Sequence, residues 1–149
     1  FADALKGMMG ATVLEPASVI SARPTTDMGK RLVLFGMPSQ SDLLGQAEAK
    51  IMAGQTEDGV KNCRSVVEQV LENLMKRVGL GPTDSFKHNL DRLVSHKRIH
   101  PWMLEAIHSF YYSYLSEVAH DKYKPGPKEA LYVLSVTQST VEYLLDRVG

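Results

Sequence analysis

From Ser39 to the end of the chain, apolar residues recur at intervals of three and four, and that period predicts helices. The clearest stripe is Val60, Val67, Val70, Leu71, Leu74 and Val78. Thr56 stands where a cap is expected, Glu57 and Asp58 fall in the first turn, and Lys76 and Arg77 fall in the last. That arrangement suits the helix dipole at both ends. Gly79 to Pro82 then stops the helix. Upstream, Ser41 is expected to cap a helix running to Ala53, with Gly54 closing it.

Thr83 or Asp84 is expected to cap a further helix with Phe86, Leu90, Leu93 and Val94 on one face. Pro101 restarts the chain after His100, at a first helical position where its missing N–H costs nothing. Trp102, Leu104, Ile107, Tyr111, Tyr114, Leu115 and Val118 continue that helix's apolar side. Gly126-Pro127 repeats the start signal, and Leu131, Leu134, Val141, Leu144 and Leu145 line the last helix. The pattern predicts an all-α fold, a four- to five-helix bundle over residues 39–149. Residues 1–38 are punctuated by Gly, Pro, Ser and Thr and read as an irregular N-terminal arm or linker. Within them Ala2 to Met9 is weakly helical. The apolar run Arg31 to Phe35 is expected to be a short strand, with Ala11 to Leu14 its only partner within the chain.

Composition narrows the classes of function. At 149 residues the chain suits one domain with a sizeable core. Its 17 basic and 17 acidic side chains cancel, so any polyanion site has to be a local patch. Cys63 is the single cysteine, which excludes an intrachain disulfide. It is expected to be a small packed side chain in a reducing, cytoplasmic setting. No apolar run approaches the roughly 20 residues that cross a bilayer. The opening Phe1-Ala2-Asp3 carries neither a starting Met nor a signal-peptide pattern, so the chain is expected to be the C-terminal part of a longer protein.

His120, at a helix end, is the leading catalytic candidate, since imidazole both accepts and donates protons near neutral pH. Arg64 and Glu68, four residues apart, share a helix face and could orient that histidine or hold a phosphate. Lys87, Arg92, Lys97 and Arg98, with His88, His96 and His100 among them, form the one segment suited to a phosphate backbone, and so to RNA. His96 and His100 are four apart, but Pro101 interrupts the helix and no third ligand is evident, so no metal is expected. Phe110, Tyr111, Tyr112 and Tyr114 cover more than one helix face. They suit a dimer interface better than a stacking platform for bases. No phosphate-binding glycine loop or nucleophile elbow is present, and no cofactor is expected.

Several segments together resemble the HEPN superfamily of prokaryotic helical domains, in particular a branch found at the C-termini of larger proteins. These are Asn62-Cys-Arg-Ser-Val-Val-Glu68-Gln-Val-Leu, Leu90-Asp-Arg-Leu-Val94 with Ile99, Leu115-Ser-Glu-Val-Ala-His120, and Lys128-Glu-Ala-Leu to Tyr143-Leu-Leu. The likeness covers residues 41–147 and implies a dimeric helical bundle. Active members are metal-independent ribonucleases that use an arginine and, a few residues on, a histidine. His120 matches the histidine, whereas Tyr114, Leu115 and Ser116 stand where the arginine is expected. The leading expectation is therefore a non-catalytic, dimerising interaction module of a larger prokaryotic protein, in a phage-defence or toxin setting, with a partner protein. Two alternatives stay open: a metal-independent endoribonuclease using His120 with Arg64 at the phosphate, and an RNA-binding module.

Overall fold

The computed structural model describes residues 25–149, and every regular element among them is helical. In chain order these are α1 (Thr25–Leu34), α2 (Pro38–Met52), α3 (Thr56–Arg77), α4 (Phe86–Ser95) and α5 (Pro101–Phe110). A π-helical turn, Tyr111–Leu115, and α6, Ser116–Ala119, continue α5 without a break. The last element, α7, spans Pro127–Arg147. The all-α bundle that the apolar period predicts is the observed architecture.

The bundle is organised around α3, which packs against α2, α4, α6, α7 and the π-helical turn. Its buried positions are Gly59, Val60, Cys63, Val66, Val67, Val70, Leu71, Leu74 and Met75. That spacing turns one continuous stripe toward the core. Gly59 lets α3 approach α2 closely. A Cβ there would strike Ile51 and come within 3.0 Å of the Ala47 carbonyl oxygen. Burial pushes the Cys63 thiol up to about 12, against a smaller downward pull from Thr137, so Cys63 is a packed and unreactive side chain.

The expected strand at Arg31–Phe35 is instead part of α1 and its end. Met28 and Leu32, four residues apart, are fully buried, so helical spacing places both in the core where alternation would expose one. Arg31 reaches Asp146 on α7 at 2.7 Å, and Arg77 donates to the Phe35 carbonyl at 2.8 Å. This part of the expected arm is thus built into the bundle. The weak helix at Ala2–Met9 and the pairing through Ala11–Leu14 lie outside the described residues.

Helix starts differ from expectation in three places. Pro38 occupies the first turn of α2 with Met37 at the cap, which puts Ser41 inside the helix. Gln55 caps α3, and the Thr56 hydroxyl donates instead to the Pro125 carbonyl at 2.8 Å. Ser85 caps α4 by accepting from the His88 amide at 3.1 Å, while Thr83 bonds the buried Asn89. His100 caps α5, its Nδ1 accepting from the Trp102 amide at 3.0 Å. At the C-terminal ends, α1, α2 and α3 close on Gly36, Gly54 and Gly79 at positive φ. The same closure at α4 and α6 uses Lys97 and Asp121, each at φ 59°.

Candidate functional site

The feature that shapes the surface is the π-helical turn. The Ser116 amide bonds the Tyr111 carbonyl, five residues back, so the turn is one residue wider than an α-turn. Tyr111 and Leu115 both stay in the core, and the residues between them bulge outward. Tyr114, expected on the apolar side, is 49% exposed as a result. Trp102, expected on that side too, sits in the first turn of α5 and is also exposed.

After α6 the chain reverses through a tightly held loop. The Lys122 amide bonds the Glu117 carbonyl at 2.8 Å and the Asp121 amide bonds that of Val118 at 3.1 Å. Two ties fasten the loop to α3: the Thr56–Pro125 bond, and an ion pair of Lys61 with Asp121 at 3.3 Å. The loop then enters α7 through Gly126, whose amide donates to Glu129 Oε1 at 2.8 Å. Glu129 Oε2 accepts from the Tyr123 hydroxyl at 2.6 Å. These bonds hold the Glu129 carboxyl below its ordinary range, Tyr123 contributing most, and the same bond raises Tyr123.

Between the π-helical turn, this loop and α7 lies a half-open cleft of about 580 Å³, within the range of ligand sites. Val118, Val133 and Pro125 give it an apolar lining, and Tyr114, Tyr123 and Tyr132 wall it. The three rings are 49%, 49% and 58% exposed, and Tyr114 meets Tyr132 edge-on at 6.3 Å and 60°. Lys122, Lys128 and Glu117 also line it. A second, shallower groove of about 710 Å³ lies between α1 and α2, and no aromatic side chain lines it. We therefore take the tyrosine cleft as the candidate site.

The residues singled out in the sequence fall elsewhere. Arg64 and Glu68 do pair, Nε to Oε2 at 3.5 Å. Their third partner, however, is Tyr111 and not His120. The Tyr111 hydroxyl donates to Glu68 Oε2, the Arg64 guanidinium lies 5.4 Å from the Tyr111 ring centre, and Phe86 stacks on that ring at 3.9 Å. Burial, followed by the Glu68 bond, raises Tyr111 far above its ordinary range. His120 is exposed at the C-terminal cap of α6, and no side-chain hydrogen bond or ion pair joins it to Arg64 or Glu68. The helix end that made it conspicuous turns it to solvent, while its neighbour Asp121 makes the contact with α3.

In the basic segment, Lys87 pairs with Asp91 on the same helix at 3.2 Å and Arg92 donates to the Gly81 carbonyl. Lys97 and Arg98 are exposed. Of the four aromatics expected at a dimer interface, Phe110 and Tyr111 are 5% and 4% exposed and belong to the protein's own core. Only Tyr112 and Tyr114 offer surface to a partner. Among the described residues no three His, Cys, Asp or Glu side chains come together in a metal-holding group, and no helix is long and apolar enough to cross a membrane.

No protein-family model matches the chain, nor does any curated protein or solved structure. Residue chemistry and geometry therefore carry the functional argument. The cleft residues that the pattern missed are Tyr123, Glu129 and Tyr132. One signal does point to them: all six tyrosines fall between positions 111 and 143, around the Lys-Pro-Gly-Pro loop.

Proposed function

We propose that the protein is a non-catalytic helical interaction module of HEPN-like build that recognises its partner through the tyrosine cleft. The observation that carries this reading is the cleft itself: three half-exposed tyrosines, one each from the π-helical turn, the loop and α7, stand around an apolar floor, and the loop between them is tied to α3 and α7. Each ring left half exposed forgoes on the order of 1 kcal/mol of burial. A partner that covers the three rings recovers that amount, and tyrosine is enriched where interfaces concentrate their binding energy. The non-catalytic part rests on two placements. His120 has no bond to Arg64 or Glu68, and the positions where the resemblance expects an arginine hold exposed Tyr114 and buried Leu115 and Ser116.

The test pairs affinity capture with an RNA-cleavage assay in EDTA. Wild type and Trp102→Ala should retain the same partner, and Tyr132→Ala should lose it. Neither wild type nor His120→Ala should cleave RNA. Cleavage by wild type that disappears in His120→Ala makes the protein a ribonuclease and overturns the reading.

A further inference from the structure

The hydrogen-bonding groups around the cleft are unevenly divided. Tyr123 and Glu129 are used up on each other and on Gly126. The hydroxyls of Ser113, Tyr114 and Tyr132 and the ammonium groups of Lys122 and Lys128 make no side-chain hydrogen bond among the described residues, and all of them can donate. The three hydroxyls can also accept, so the uncommitted side chains able to donate outnumber the one that can only accept, the Glu117 carboxylate. The fitting occupant is apolar, rich in acceptors and poor in donors.

Charge and ring geometry narrow the choice. The two lysines and two glutamates cancel, so neither a strongly anionic nor a strongly cationic ligand is favoured. Lys122 and Lys128 oppose a cation held among the rings. Tyr114 and Tyr132 already touch at 60°, which leaves no parallel slot for a nucleobase to enter between them. Their edge-to-face pair forms a ridge, and ridges with grooves beside them accept puckered aliphatic rings.

We propose that the occupant is a proline-rich segment of a partner protein in the polyproline II conformation, an inference that rests on the interaction-module reading. Each proline presents a carbonyl and a ring but no N–H, which matches the donor-rich, apolar lining. Such a segment is already extended and stiff, so it loses little freedom on docking into an aromatic-lined groove. Tyr132 and Tyr114 form the ridge between proline rings and donate to carbonyls, and the Glu129 bond holds the Tyr123 wall in place.

The experiment titrates the full chain into fluorescein-labelled decaproline and a glycine-serine decapeptide of equal length, reading anisotropy. The expected result is saturable binding of decaproline alone. Tyr132→Ala should weaken it at least about tenfold, as loss of a central aromatic contact does. Tyr132→Phe should cause a smaller loss, and Trp102→Ala, outside the cleft, none. Decaproline binding that Tyr132→Ala leaves intact overturns the inference. Absence of decaproline binding, while partner capture still depends on Tyr132, overturns the proline occupant and leaves the interaction module. Loss of both dependences removes the two readings together.

Discussion

Two tyrosine–glutamate pairs in this protein use the same chemistry to opposite ends. Tyr111 and Glu68 meet between the π-helical turn and α3, with Arg64 beside them and Phe86 stacked on the ring. Tyr123 and Glu129 meet at the rim of the cleft, where both are exposed. In the first pair burial is the main reason that the phenol resists ionisation; in the second it is the hydrogen bond. A phenol–carboxylate bond therefore does not by itself say what a site is for. At the edge of the core it gives the hydroxyl of a buried ring its partner. At the surface it immobilises a ring without hiding it, as a recognition site requires.

The largest expected effect separates the two regions. Tyr111→Ala should destabilise the fold by about 3–5 kcal/mol, the usual cost of emptying a buried aromatic site. Tyr132→Ala should stay within about 0.5 kcal/mol of wild type. Urea denaturation of both variants checks this, and equal losses would erase the distinction between core ring and cleft ring.

A smaller effect concerns the Tyr111 hydroxyl. Tyr111→Phe keeps the ring stack and removes the bond to Glu68, for an expected loss of about 1 kcal/mol at neutral pH. The phenol is raised above its ordinary 10.0 in the folded state. Its contribution is thus fully present below pH 10.0 and is lost as the pH climbs through the folded value. Thermal melts from neutral to alkaline pH should fall more steeply for wild type than for Tyr111→Phe, and parallel curves would contradict this assignment.

The smallest effect concerns the two helix ends closed without glycine. Lys97→Gly relieves a left-handed residue that makes no ion pair among the described residues and should stabilise by up to about 1 kcal/mol. Asp121→Gly should gain less, because it also breaks the ion pair with Lys61 that ties the cleft loop to α3. Chemical denaturation of the two variants measures the difference, and a larger gain at Asp121 would mean that the ion pair holds nothing.

The core was legible wherever one period ran unbroken. Val60, Val67, Val70, Leu71 and Leu74 show their stripe in the sequence, and all are fully buried. Arg31 to Phe35 misled because a short apolar run fits a strand or a helix equally well, and only contact with α7 and with Arg77 decides between them. Nothing in Phe110 to Leu115 announces a π-helical turn, so Tyr114 could not be placed outside. The cleft was harder still. Tyr114, Tyr123 and Tyr132 come from three different elements, and their meeting depends on the Thr56–Pro125 and Lys61–Asp121 ties across the fold. His120 drew notice for its position at a helix end, a local property that carries no information about what lies across from it.

The π-helical turn also has a genetic meaning. It differs from an α-helical turn by a single residue, so loss of one codon between Tyr111 and Leu115 would return that stretch to an ordinary helix. Leu115 and Ser116 would keep their facing, because the extra residue is taken up within the turn, and the bulge that carries Tyr114 to the cleft mouth would be lost. The tyrosine that the turn brings to the cleft mouth thus depends on a single inserted residue. The α3 stripe would be untouched by it, so the cleft mouth can be remodelled while the scaffold is inherited unchanged.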